Sequence, residues 1–309
     1  MKMVLDSFGI TETYPTKIGG RTWFNKWGSN KTTRCYTSGQ SDFDDNEVHY
    51  RGVAGSFTIY GATDPKAGQM EMHGTTPRFY IRSNNAIGYS DSLGLKKWNS
   101  CEITIYTYLT DYIGTSYGTG ITCGCFTNHI KDYYPPYVRL GDFSTQCYYG
   151  KLYGASGNCC FKKEIGFPNT VILGKTTHPL PNGGDMPLNC WVGYKFICRA
   201  YTTSIKCNLQ MYLDMTNGIN GGQWTLINEV TDVSGSTAYD SQSNETPVCA
   251  DSYDWSGTNP PRTSGKFWWG QPLVKQYQTA NYSVLLRNDQ TNLQYFKDFS
   301  IREVDEILG

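Results

Sequence analysis

An antiparallel all-β sandwich is the fold that this sequence predicts, and three observations predict it. Short segments alternate apolar and polar residues with a period of two, no long run keeps the 3.6-residue period of a helix, and turn formers separate the segments. With 33 glycines, 24 tyrosines and only 17% charged residues in 309, the composition suits many strands and many turns. One unit spanning residues 1–309 is expected, since sandwiches of this size are commonly undivided and no Pro/Ser/Gly linker interrupts the pattern. Two long loops are placed at about 179–190 and 232–265, where Pro, Gly, Ser and Asn concentrate.

The clearest stretch is 191–230. Val192, Tyr194, Phe196 and Cys198 alternate with Gly193, Lys195, Ile197 and Arg199, and Cys207, Leu209, Met211 and Leu213 repeat the pattern against Asn208, Gln210, Tyr212 and Asp214. The turn TNGINGG at 216–222 offers Asn and Gly for positive φ before a third strand begins near Trp224. This is a β-meander with one apolar face. Ahead of it, Trp23 and Trp27 form an anchoring aromatic cluster, and Ser56–Tyr60, Gln69–His73 and Arg78–Arg82 read as short strands. Further strands follow at WNSCEITIYTYL, TCGCFTNHI, YYGKLY and the segment holding Phe161, and the chain closes with YSVLLRNDQ and YFKDFSIREV.

The net charge is zero, 27 basic against 27 acidic residues, so no global field draws the chain to nucleic acid or to an anionic membrane. No apolar stretch approaches the ~18 residues that span a bilayer. The start MKMVLDSFGI is too short and too quickly polar for an intact secretory signal. Eleven cysteines suit either disulfides in an oxidising compartment or thiols packed as small hydrophobes, while Cys123 and Cys125 lack zinc spacing. Sequons at Asn30, Asn244 and Asn281 favour the secretory reading. An extracellular place, or the surface of a cell or virion, is the expectation.

Several segments carry candidate chemistry. Asp42, Asp44, Asp45, Asn46 and Glu47 gather oxygen ligands that suit a structural Ca2+ as well as a solvated acidic turn. Glu102, Thr104, Tyr106 and Tyr108 are expected on the outward face of their strand, opposite Cys101, Ile103 and Ile105, as a polar aromatic stripe able to stack on a sugar. Arg78, Tyr80 and Arg82 share a face, as do Tyr149, Lys151 and Tyr153, and Lys163 lies with Phe161. Tyr80 and Lys163 join the stripe as candidate substrate contacts. Histidines are few, and His129, beside Asn128, is the first choice for a base of near-neutral pKa. Tyr and Lys at alternate positions supply a proton donor next to a cation, the equipment for a uronate sugar.

The strings GGRTWFNKW, TTPRFYI, WNSCEITIY, YGKLYG with FKKE, WVGYKFI with YLDMTNGINGGQW, and LRND with FKDFSIREV resemble, in order and over nearly the whole chain, the concanavalin A-like jelly roll of archaeal extracellular proteins. That fold is shared with laminin-G-like modules and with polysaccharide lyases of the alginate and glucuronan type. The lyase resemblance implies β-elimination on a uronic acid polymer, with Arg78 or Asn128 neutralising the carboxylate, His129 as base, and Tyr149 or Tyr153 with Lys151 in the proton-donor region. The strings RSELR and QIH of the alginate lyases are missing. A sandwich glycosidase would need paired carboxylates near Glu102, and no second acid is there. The function expected is polysaccharide recognition with possible cleavage; the alternative is a non-catalytic surface, adhesive or virion subunit able to self-assemble.

Overall fold

The computed structural model describes residues 4–29, 32–37, 41–44, 48–74, 76–83, 98, 100–112, 120–127, 147–164, 170–177, 180, 184–203, 206–233, 238–239, 245–246, 283–289 and 291–309. The strands among them, in chain order, begin with β1 (Thr22–Phe24), β2 (Arg34–Tyr36), β3 (Ser41–Asp44), β4 (Val48–Val53), β5 (Ser56–Ile59), β6 (Met70–Gly74) and β7 (Arg78–Ser83). The middle of the chain supplies β8 (Cys101–Leu109), β9 (Gly120–Thr127), β10 (Cys147–Tyr153), β11 (Cys159–Glu164) and β12 (Thr170–Thr177). Then come β13 (Trp191–Ala200), β14 (Lys206–Asp214), β15 (Thr225–Val233), β16 (Ala238–Tyr239), β17 (Glu245–Thr246), β18 (Ser283–Asp289) and β19 (Thr291–Glu303).

They form two sheets. The first runs β15-β14-β13-β8-β19-β6-β5-β2 with β1 added on β19, and the second runs β17-β16-β12-β11-β10-β9-β18-β7-β4-β3. Every pairing is antiparallel. The chain changes sheet repeatedly: β3 and β4 lie in the second, β5 and β6 in the first, β7 in the second, β8 in the first, β9 to β12 in the second, and β13 to β15 in the first. This wrapping of strands around a shared interior is jelly-roll connectivity. The closing strands obey it too, since β18 and β19 belong to different sheets and do not form a hairpin.

The expected meander is β13-β14-β15. Phe196 lies opposite both Ile103 and Met211, and the turn reaches left-handed φ at Asn217, Gly218, Asn220, Gly221 and Gly222. A bulge opens where Met211 pairs with Asn228 and Tyr212 with Leu226, leaving Ile227 as the extra residue. Apolar faces meet between the sheets: Ile103, Ile105, Tyr194, Phe196, Leu209 and Met211 from the first, Ile121, Tyr148, Leu152, Phe161 and Leu286 from the second. Gly150 lies where the layers approach, for a Cβ there would stand 2.4 Å from the Tyr194 hydroxyl and 2.7 Å from the Phe196 ring. Trp23 and Trp27 are buried, Trp23 edge-on to Phe299 at 5.3 Å and the Trp27 indole donating to Tyr50 Oη at 3.2 Å.

The acidic stretch departs from the expected loop. Residues 41–44 are the strand β3, whose Asp42 and Asp44 pair in register with Tyr50 and Val48 of β4. Asp45, Asn46 and Glu47 lie outside the described residues, as do Asn30, Asn244 and Asn281. Among the described residues no group of three His, Cys, Asp or Glu side chains is placed to hold a metal ion. Among the described cysteines no pair stands at disulfide-bond distance; Cys198 and Cys207, on neighbouring strands, have their sulfurs 3.2 Å apart.

Candidate functional site

The outer face of the first sheet has two halves. One is sealed by the N-terminal segment. Glu102 is fully buried, and its carboxylate accepts from the backbone N–H groups of Thr13 (3.2 Å) and Tyr14 (3.0 Å). Lys195 Nζ stands 2.6 Å and Arg302 Nη2 2.8 Å from the same Oε1. Arg302 also reaches Glu12 at 2.9 Å, the Tyr14 carbonyl and Thr16, and Lys195 donates to the Thr11 carbonyl. Burial works against the Glu102 carboxylate, but the charges of Lys195 and Arg302 outweigh it and hold the carboxyl below its usual range.

Tyr106 is covered in the same way. Its hydroxyl donates to Asp214 at 2.8 Å, its ring meets Trp224 edge-on at 5.9 Å, and both rings lie against the bare backbone of Gly193. Asp214 also accepts from Thr216 N, Thr216 Oγ1, Gly218 N and Gln223 N, so it ties down the 216–223 turn. Burial, with the Asp214 charge, pushes the Tyr106 phenol far up, while burial of Asp214 is outweighed by its donors and its carboxyl is lowered.

The other half is open. Cross-strand register puts Tyr108 of β8 between Trp191 of β13 and Tyr295 of β19, and Tyr295 next to Glu71 of β6. These side chains share the outer face because each sits one position out of phase with a core residue, Val192, Leu109, Phe296 and Met70. Ring centroids are 5.5 Å apart for Tyr108 and Trp191 and 6.1 Å for Tyr108 and Tyr295, with planes tilted by 57° and 74°, so the row is corrugated. All three are half-buried.

A lysine stands at each end. Lys297 Nζ lies 4.8 Å over the Trp191 ring and 2.9 Å from Asn217 Oδ1. Lys66 Nζ lies 4.4 Å over the Tyr295 ring, donates to its hydroxyl at 2.8 Å and approaches Glu71 at 3.3 Å. Glu71 also meets the Tyr60 hydroxyl and His73 Nε2. Burial and the bond to Glu71 push the Tyr60 phenol up to about 12, and the bond to Tyr295 raises the Lys66 ammonium. Burial opposes ionisation of Glu71, yet the bonds from Tyr60, His73 and Lys66 hold its carboxyl below the usual range. The patch therefore sets the raised Lys66 ammonium, the lowered Glu71 carboxyl and the raised Tyr60 phenol beside an aromatic row, with Lys297 3.7 Å from Asp298 at the Trp191 end.

No family model matches the chain, and no curated protein matches it. Among solved structures, the lumenal domain of VIP36 in a Ca2+/Man3GlcNAc-bound form is similar at 6% identity, covering 88% of this chain and 92% of that one with a TM-score of 0.39. The carbohydrate-binding module CBM66 from Bacillus subtilis is similar at 11% identity, 82% and 94% coverage and a TM-score of 0.37. Winged bean acidic lectin complexed with methyl-α-D-galactose is similar at 10% identity, 89% and 100% coverage and a TM-score of 0.37.

The residues singled out in the sequence are distributed over three places. The stripe Glu102, Tyr106, Tyr108 does face away from the core, but the outward position is not an exposed one: Glu102 and Tyr106 are sealed under other parts of the chain and only Tyr108 keeps partial exposure. Lys163 points between the sheets, fully buried and paired with Asp232 at 2.9 Å, because it follows Phe161 at a two-residue step. Arg78, Lys151, Tyr80 and Tyr149 occupy the outer face of the second sheet. Register lines up Arg78, Arg287, Thr122 and Lys151 in one row and Tyr80, Leu285, Gly124 and Tyr149 in the next. Three strand spacings, about 14 Å, separate Arg78 from Lys151. Tyr80, Tyr149, Lys151 and Tyr153 are buried there, with Lys151 Nζ 4.8 Å over the Tyr153 ring. Asn128 and His129 lie outside the described residues.

Sequence reasoning missed Tyr60, Lys66, Glu71, Trp191, Tyr295 and Lys297 as a group. Glu71 with His73, and Tyr295 with Lys297, each show the two-residue step of one strand face. Nothing local says that β13, β8, β19 and β6 are neighbours.

Proposed function

We propose that the chain recognises an extracellular polysaccharide through the open half of the first sheet's outer face. The observation that carries this reading is the half-exposed row Tyr295, Tyr108, Trp191 with the ammonium groups of Lys66 and Lys297 at its ends. Aromatic edges and faces contact the C–H faces of sugar rings, and fixed hydrogen-bonding and charged groups set orientation. Ammonium groups flanking such a row suit a chain bearing carboxylates, so polyuronates are the substrate class to try first. Glu71, held ionised within its own bonds, accepts from sugar hydroxyls.

Affinity electrophoresis against alginate, glucuronan and a neutral glucan tests the reading, with Trp191→Ala and Lys66→Gln as variants. Retardation by the polyuronates that weakens in both variants supports it; wild-type mobility unaffected by every polymer overturns it and favours an assembling surface subunit. The ultraviolet absorbance of an unsaturated uronate, followed with the same polymers and a His129→Ala variant, tests separately for β-elimination, for which Arg78 stands three strands away from Lys151. Calcium is included and withheld in both assays.

A further inference from the structure

The ion pair between Lys163 and Asp232 has a setting unlike the other buried pair. Lys163 lies on β11 of the second sheet and Asp232 on β15 of the first, so the contact spans the core. Both side chains are fully buried. Tyr148 is the direct cross-strand partner of Lys163, and Cys207 that of Asp232, which sets two strand pairs face to face around the contact. Lys163 Nζ approaches Asp232 Oδ2 at 2.9 Å, and the Tyr148 hydroxyl donates to the same oxygen at 2.5 Å. The other oxygen, Oδ1, is buried with no hydrogen-bond partner.

Glu102 is the informative contrast. Its carboxylate takes two backbone N–H groups and two cations, which fix it as an anion. Asp232 has one amine and one phenol, both on a single oxygen, and its second oxygen has no hydrogen-bond partner. Burial also draws the Lys163 ammonium below its ordinary pKa, toward the nucleophilic amine.

We propose that Lys163 and Asp232 condense into an intramolecular amide that staples the two sheets. A proton passes along the 2.9 Å contact from the ammonium to the carboxylate, leaving a neutral amine and a carboxylic acid. The amine nitrogen attacks Cγ. Tyr148 donates its proton to the departing oxygen Oδ2, which leaves as water, and the phenolate takes the surplus proton from nitrogen. One N–C bond forms, one C–O bond breaks, one water is released, and no oxidant or cofactor is required. Oδ1 becomes the amide carbonyl oxygen. Fixed proximity inside the core supplies the effective concentration that free lysine and aspartate lack, and the product removes two charges from an apolar interior.

The test is the intact mass of the purified full-length protein, folded at neutral pH and then denatured in reductant. The expected mass is one water below that of the sequence, and a tryptic digest contains a branched peptide joining the Lys163 and Asp232 segments. The variant Lys163→Met shows the full sequence mass, and Tyr148→Phe shows a mixture that shifts toward the lighter form on incubation. A wild-type mass equal to the sequence mass, with no branched peptide, overturns the proposal whether or not the variants fold. Sugar binding is measured at a different face, so its outcome does not bear on this one.

Discussion

Replacing Glu102 by Gln isolates the charge that holds the N-terminal segment to the first sheet. The substitution keeps shape but leaves Lys195, 1% exposed, without its counter-charge, whereas Arg302 retains Glu12 at 2.9 Å. Removing one partner of a buried pair costs about 3–5 kcal/mol, and the surviving Glu12 contact puts this case near the lower end, about 3 kcal/mol. With a urea m-value of about 3 kcal/mol per molar for a chain of this size, the midpoint should fall by about 1 M. Chemical denaturation followed by tryptophan fluorescence measures it, because Trp23, Trp27 and Trp224 sit in environments that unfolding destroys. A double variant, Glu102→Leu with Lys195→Met, should regain only part of the loss, since it removes the unpaired ammonium but leaves the Thr13 and Tyr14 N–H groups without their acceptor. The pH dependence follows the same sign. Glu102 has a depressed folded pKa, so its contribution is full above the unfolded value and is lost as pH falls through the folded one. A Glu102→Gln protein with an unchanged midpoint but lost sugar retention would refute the reasoning, for Glu102 would then be a ligand contact and not a clamp.

Other outcomes follow from the same geometry. Gly150→Ala should destabilise by about 1–3 kcal/mol through overpacking, read as a lower urea midpoint, because its Cβ would meet Tyr194 Oη at 2.4 Å; an unchanged midpoint would mean the sheets are further apart than described. Asp214→Ala strips the 216–223 turn of its shared acceptor and should cost about 3 kcal/mol, with faster proteolysis at that turn. Its lowered pKa also makes the contribution fade in acid as pH drops through the folded value. In brief alkylation of the native protein Cys35, exposed among the described cysteines, should label well before Cys159, which is buried and has its pKa pushed up to about 11. Equal rates would argue that the β10-β11-β12 segment holding Cys159 opens freely.

Much of the architecture is legible in local pattern. The alternation in 191–230 marks β13 and β14 and their inward residues, and TNGINGG marks the turn where five residues adopt positive φ. Alternation also divides β8 correctly, with Cys101, Ile103 and Ile105 in the core. It does not say what lies beyond the outward side. Glu102 and Tyr106 look like a surface stripe because period two separates core from non-core, and a non-core face can still be roofed by a segment some ninety residues away in sequence, as Thr13 and Tyr14 roof Glu102.

Sequence by itself determined the fold class and, for the strands whose alternation is plain, which residues face the core, since these depend on neighbours one or two residues apart. Tertiary structure alone decided which faces stay open and which side chains meet. Trp191, Tyr108, Tyr295 and Glu71 become one patch only through the order β13-β8-β19-β6, and Lys163 finds Asp232 only because two sheets pack face to face. Strand order is settled by the summed burial of the whole chain, a quantity that no single segment encodes.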